Sequence, residues 1–365
     1  MSNTDNEDMH EEFLEKKFRK EEKKHRKIIQ KKDRSKFKKT QKTQEKVSTS
    51  KASLQKGLVI SVLRNSISVL SDKTTYNCTM KGSLEQKSSL DKTLIHVGDH
   101  VQFSVIDKTI YHIEPRTSIL SRQELLRKKQ QIIAVNIDQV LITVSVVQPK
   151  LKPSLIDRYI IAAEKGNMVP IIIVNKIDLL HDTKHFSEKE LEKEHKKYQE
   201  LLSAYALCGY PVLSLSSKTN EGIESLLSIM KGKSSVFSGQ SGVGKTSLIN
   251  IITKNSLKTG EVVKKTYKGA HVTTKANLIP LTEGGACIDT PGIKSFGIWD
   301  VKKEDLSSHF KEIAQHSKHC KFKNCSHTNE PECAVIEAVN NKKISSLRFE
   351  SYRSLMKNYE TKKTR

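Results

Sequence analysis

The chain has 365 residues, of which 64 are Lys or Arg and 41 Asp or Glu, for a formal net charge of +23. That length predicts two or three domains, and that charge predicts a polyanionic partner, with nucleic acid favoured over a membrane. A membrane span, a secretory signal and a disulfide scaffold are all excluded as expectations: no apolar run reaches ~18 residues, the charged N-terminal stretch has no apolar core segment, and six cysteines are few for this length.

Residues 1–15 are acidic and residues 16–56 strongly basic. Phe13, Leu14, Phe18, Ile28, Ile29 and Phe37 are almost the only large apolar side chains there, too few to offset the entropy of ordering the segment. Residues 1–56 therefore read as a basic extension, disordered or a fraying helix, that either binds phosphates without sequence preference or only keeps the chain soluble. Residues 57–114 change to short β-like runs at 58–63, 66–70, 76–80 and 101–105, with turns at Lys81-Gly82 and Gly98-Asp99. Closely spaced short strands predict a small OB-type β-barrel, a fold that often binds nucleic acid on an exposed strand face.

Residues 115–298 alternate strand and helix. The run 139–146 is almost continuously apolar, as a parallel strand buried on both faces should be. An amphipathic helix over 155–165, a strand over 169–174, a charged helix over 187–206 and a strand over 211–215 follow. A buried strand at 235–238 and a helix over 247–252 flank a glycine-rich loop, completing a doubly wound α/β domain.

That loop, Gly239-Gln240-Ser241-Gly242-Val243-Gly244-Lys245-Thr246, fits G-x-x-x-x-G-K-[ST] in the required strand–loop–helix context. Its glycines let backbone N–H groups turn around phosphate oxygens at the positive end of a helix dipole. Lys245 should reach the β and γ phosphates, and the Thr246 hydroxyl should sit on Mg²⁺. Asn175-Lys176-Ile177-Asp178 matches N-K-x-D at a strand end. The Asp178 carboxylate can accept both guanine N1–H and the exocyclic amine, a donor pair that adenine lacks, so the nucleotide expected is GTP or GDP. Asn175 should contact the base from the other edge, the Lys176 stem should pack along the ring, and Ser216-Ser217-Lys218 should close the pocket.

Asp289-Thr290-Pro291-Gly292 ends a short apolar run, placing a carboxylate near Mg²⁺ and the Gly292 N–H where it can sense a γ-phosphate. Thr273 or Thr274, in Gly269-Ala270-His271-Val272-Thr273-Thr274, is the expected switch threonine. The base-reading motifs precede the phosphate-reading ones, so the domain reads as a circularly permuted GTPase, and the γ-phosphate state is expected to pass to the C-terminal module. Ile293 stands where many GTPases carry a water-orienting glutamine. Intrinsic hydrolysis should therefore be slow, with His271 or a partner's residue completing the catalytic set.

Residues 299–365 carry Cys320, Cys325, His327 and Cys333 as C-x4-C-x-H-x5-C, three thiolates and one imidazole suited to one structural zinc. His309, His316 and His319 compete for the nitrogen position. Basic helices over 302–317 and 334–357 flank the cluster. Cys78, Cys208 and Cys287, in apolar contexts, are expected in cores.

The barrel, the permuted G-Q-S-G-V-G-K-T and N-K-I-D motifs and the Cys-Cys-His-Cys cluster together resemble the RsgA (YjeQ) family, over about residues 57–355. Pro115-Arg116, Leu120-Ser121-Arg122, Gly284-Gly285 and Phe296-Gly297-Ile298-Trp299 add to the likeness. The resemblance implies a cytoplasmic GTPase that binds the small ribosomal subunit and its rRNA late in maturation, is stimulated by it, and is released on hydrolysis. The expected form is a monomer without a membrane partner. Two other readings are a permuted GTPase of large-subunit assembly and a nucleotide-gated RNA-binding scaffold with negligible hydrolysis. The family's switch loop reads G-R-H-T-T-T, whereas Ala270 and Val272 stand here in place of its Arg and first Thr.

Overall fold

The computed structural model describes residues 54–63, 66–81, 94–124, 129–257, 276–289, 301 and 303–363. Residues 1–53 of the basic extension, the Gly269–Thr274 segment and the Thr290–Trp299 stretch lie outside the described residues, whereas Gln55 and Lys56, expected in the extension, belong to the first strand. Strands β1 (Gln55–Val62), β2 (Ile67–Ser71), β3 (Thr74–Met80), β4 (His100–Ser104) and β5 (Thr109–Ile113) come first. They pair in the order 1-2-3-5-4-1, with β3 and β5 parallel and β4 closing on β1, which is an OB-type closed barrel. Asp72 and Lys73, both at positive φ, make the tight β2–β3 turn. Inside the barrel, alternate positions bury Val59, Val69, Cys78, Val101, Phe103 and Ile110.

A two-stranded hairpin, β6 (Ile119–Glu124) and β7 (Lys129–Val135), follows. The barrel is latched at this point. Arg116 donates from Nε to Asp99 Oδ1 at 2.8 Å and from Nη2 to Asp99 Oδ2 at 2.9 Å, and the Asp99 side chain is fully buried. Asn136 bridges the same seam, donating to the Gly98 carbonyl at 2.8 Å and accepting from the Thr117 N–H.

The nucleotide domain is built on β8 (Gln139–Ser145), α1 (Pro153–Lys165), β9 (Val169–Asn175), α2 (Glu188–Leu207), β10 (Val212–Ser214), α3 (Ile223–Met230), β11 (Ser234–Ser238), α4 (Lys245–Leu257), β12 (Asn277–Pro280) and β13 (Ala286–Asp289). Sheet order is β10-β9-β8-β11-β13-β12, parallel except for β12, which pairs antiparallel with β13. All seven residues of β8 are buried, because helices cover both faces. Val140, Ile142 and Val144 face α1, and Leu141 faces the core lined by Leu226, Met230, Leu248 and Ile252. Pro153 starts α1 at a position where its missing N–H costs nothing, and Ser187 with Glu190 forms a capping box at the start of α2.

The C-terminal part differs from the two long helices expected. The first breaks at Phe310, giving a 3-10 turn (Lys303–His309) and α5 (Lys311–Ser317). The second divides into α6 (Ala334–Asn340) and α7 (Ser346–Lys363). Phe310 and Ile344 leave the helical path at these breaks and are both buried in one cluster with Ile313, Val335, Tyr352 and Ile161 of α1. Arg348 of α7, within the stretch read as a basic helix, is 1% exposed. It bonds Asp157 of α1, and donates from Nε to Glu312 Oε1 at 2.7 Å, over the face of Phe310. Helices α5 and α7 are thus joined to α1 through a buried ion cluster. Cys78 and Cys287 are buried as expected, and Cys208 is half-buried.

Candidate nucleotide site and metal cluster

The phosphate loop leaves β11 at Gly239, whose φ of 145° is open only to glycine. A Cβ there would lie 2.0 Å from the Thr143 carbonyl oxygen of β8. One at Gly244 would lie 2.3 Å from Asn175 Nδ2. The loop is therefore pressed against the ends of two neighbouring strands. Lys245 folds back over it, donating to the carbonyls of Gly239 at 2.7 Å and Gln240 at 2.6 Å. Burial lowers the lysine's pKa, so an anion in the loop would relieve a poorly solvated cation. Ser241 and Gly242 line the exposed rim, and Thr246 is exposed in the first turn of α4.

The Asn175 side chain, expected at the base, is held by groups of two neighbouring loops. It is fully buried. Nδ2 donates to the Val243 carbonyl at 2.8 Å and the Ser217 hydroxyl at 3.3 Å, and Oδ1 accepts the N–H groups of Lys176 and Ser217. Asn175 is a staple joining the phosphate loop to the Ser216-Ser217-Lys218 loop. Lys176 takes a left-handed backbone, φ 65°, and its Nζ donates to the Gln148 carbonyl at 3.1 Å. Ile177 packs against the main core and opens a 3-10 turn (Ile177–His181) that presents Asp178 at the half-buried surface.

Asp178 has its own support. The buried Ser216 hydroxyl donates to Asp178 Oδ1 at 2.5 Å. Ser216 Oγ in turn accepts the N–H groups of Lys218 and Thr219, both at 3.2 Å, which leaves the hydroxyl proton directed at the carboxylate. Sequence reasoning missed Thr143, the Gln148 carbonyl and Pro149, which approaches Gly242. Their contribution is backbone position, and a polar Thr143 in an apolar strand was the only outward sign.

Among the described residues, one His/Cys cluster can hold a metal: the candidate ligand atoms of Cys320, Cys325, His327 and Cys333 all lie within 4.8 Å of one another. Cys320 Sγ and Cys333 Sγ are 3.8 Å apart, and His327 Nδ1 is 3.5 Å from each. A tetrahedron with Zn–S bonds of about 2.3 Å has sulfur–sulfur edges of about 3.8 Å, so the spacing suits that ion. Burial pushes the Cys325 thiol up to about 12, raises Cys333 and lowers His327. Neutral imidazole is the ligating form, and a cation is what such crowded thiols need to ionise. The loop carrying His327 is held by Glu330, which accepts N–H bonds from Ser326, Thr328 and Asn329. His309, His316 and His319 stand outside the cluster.

The RsgA GTPase family matches residues 113–299. The small ribosomal subunit biogenesis GTPase RsgA of Yersinia pseudotuberculosis is 36% identical over 317 residues, covering 85% of this chain and 87% of its own. That of Phocaeicola vulgatus is 36% identical over 299 residues, covering 80% and 93%. The chain belongs to the RsgA GTPase family. YjeQ from Thermotoga maritima is similar in structure, with a TM-score of 0.65 and 31% identity over 84% of this chain and 98% of that one. YloQ, a circularly permuted GTPase, follows at 0.62 and 29%, over 85% and 96%. Membership makes the chain a GTP hydrolase that binds GTP and GDP. Asn175 meets Val243 across 68 residues of chain because β9 and β11 both flank β8. Asp289 ends β13, while His271, Thr273, Thr274 and Gly292 lie outside the described residues.

Proposed function

We propose that this RsgA-family GTPase acts in maturation of the small ribosomal subunit, binding that subunit and its rRNA and leaving it upon hydrolysis. Support comes from likeness over 85% of the chain to a relative named for small-subunit biogenesis. A net charge of +23 and a barrel of OB topology favour an RNA partner. The chain works in the cytoplasm, and no described helix is long and apolar enough to cross a membrane. Its four parts are the extension 1–56, the barrel 57–114, the GTPase domain 115–298 and the C-terminal module 299–365.

In the proposed site, backbone N–H groups of residues 239–246 hold the phosphates, Lys245 balances their charge and Asp178 selects guanine. Thr246 and Asp289 offer the oxygen donors that Mg²⁺ favours. That ion would neutralise charge on the phosphate oxygens. Ile293 cannot orient water, so His271 or a ribosomal group does so. Zinc bound by Cys320, Cys325, His327 and Cys333 holds the C-terminal module together.

The deciding assay is GTP turnover with no addition, with purified small subunits and with large subunits. Stimulation by small subunits alone is expected. Stimulation by large subunits alone would move the protein to that particle, and no stimulation by either would favour the nucleotide-gated scaffold.

A further inference from the structure

The barrel and the nucleotide sheet share one strand. Along one edge β1 pairs with β2; along the other, residues 55–58 pair with β4 and close the barrel, whereas Ser61 lies opposite Asn277 of β12. The β1–β2 register slips between Val59 and Ser61, where the partner on the opposite edge changes. Side chains divide in the same way. Val59 is buried in the barrel core, while Leu58 and Ile60 pack against the main core of the nucleotide domain.

Asn277 has a second partner across the sheet, Asp289 of β13. Ser61, Asn277 and Asp289 therefore form one transverse row over three strands. Strand spacing of about 4.8 Å puts the barrel backbone about 10 Å from the strand end that carries the D-x-P-G carboxylate. In sequence, β12 opens directly after the segment holding Thr273 and Thr274, and β13 ends where Thr290-Pro291-Gly292 begins. Both γ-phosphate motifs thus border strands of this row. Among the described residues, the C-terminal module is attached to α1 and α2, through Arg348 with Asp157 and Tyr205 and through Lys311 with Glu164. Those helices follow β8 and the N-K-x-D loop, on the base-reading side.

We propose that β12 is a coupling strand and that the barrel, rather than the C-terminal module, is the body that reports the nucleotide state. A paired strand is well suited to this, because its register cannot slip by one residue without turning its buried face outward, so a shift at one end is carried along. The Arg116–Asp99 latch gives the barrel a fixed point at the β6–β7 seam, and β1 is the arm that moves. Coupling of this kind is reciprocal: whatever loosens β1 must change the preference for one nucleotide over the other. The inference depends on GTP binding by the family and not on the ribosomal partner, so either can fail without the other.

Amide hydrogen exchange on the full chain tests it, with GDP and with a non-hydrolysable GTP analogue. Residues 58–63 and 67–71 should change exchange rate at least about fivefold between the two ligands, the lower end of ordinary coupling. Residues 346–356 should stay within about twofold. Equal rates in β1, while residues 239–246 respond, would overturn the proposal. So would a response confined to 346–356. A second measurement uses Ile60→Ala, which loosens β1 and touches no nucleotide-binding residue. The ratio of analogue to GDP affinity should move about threefold or more, with zinc content and circular dichroism retained. An unchanged ratio in a folded variant counts against coupling as strongly as a silent β1.

Discussion

At the scale of single residues, the nucleotide site is a set of side chains that hold backbone and carboxylate in place. In the proposed site Asp178 is the group that reads guanine, and Ser216, which donates to its Oδ1, is the group that aims it. Asp178→Asn should weaken GTP binding ~100-fold or more, because a site built for a donor pair then faces a mismatched edge. Ser216→Ala leaves two N–H groups unpaired and frees the carboxylate, at a cost of about 1–3 kcal/mol. It should weaken GTP binding about tenfold while a triphosphate-only ligand binds unchanged, as read by calorimetric titration. Equal loss for both ligands would make Ser216 merely structural. Lys245→Ala should abolish turnover. The phosphate loop and Asp178 are legible in the sequence because their chemistry demands fixed residue types at fixed spacing. The staple made by Asn175 is not, since its partner Val243 is 68 residues away and the contact exists only once β9 and β11 flank β8.

At the scale of elements, alternation and apolar runs foretell most strands, and the capping box at Ser187 marks the start of α2 almost to the residue. What sequence periodicity leaves out is where a helix must break. Phe310 and Ile344 stand at the breaks themselves, and both are buried in the same core. The Cys/His cluster lies between those breaks, against the buried side chains that α5, α6 and α7 share. One zinc per chain is expected by elemental analysis. Chelation should unfold the region around α5 and α6, lowering helicity and raising exchange there, since structural zinc supplies about 10 kcal/mol or more of folding energy at neutral pH. Cys333→Ser should do the same without a chelator. Full helicity in a zinc-free chain would refute the role given to the four ligands.

At the scale of the whole molecule, the decisive contact is one that a charged residue in a basic helix hides from sequence reading. Arg348 is as buried as Tyr159 or Phe103, and it faces Asp157 on one side and Glu312 on the other. Burial works against the charge on Glu312, yet the guanidinium donors hold its carboxyl below the usual range. Tyr205 adds a hydrogen bond to Asp157 at 2.8 Å. Removing the arginine leaves two carboxylates in a space closed to water, and loss of one partner from a buried pair costs about 3–5 kcal/mol. An exposed pair such as Lys321–Glu332 is worth about 0–1 kcal/mol, because water and salt screen it. Arg348→Met should therefore lower the urea midpoint far more than Lys321→Met, and should release α7 from α1 by hydrogen exchange while the barrel keeps its protection. Adding Asp157→Asn and Glu312→Gln to Arg348→Met removes the stranded charges and should recover much of the loss, as replacing a whole buried ion cluster often does. If Arg348→Met alone costs less than about 1 kcal/mol, the C-terminal module is not fixed to α1 by this cluster. The division of labour between a stationary module and a responding barrel would then lose its anchor.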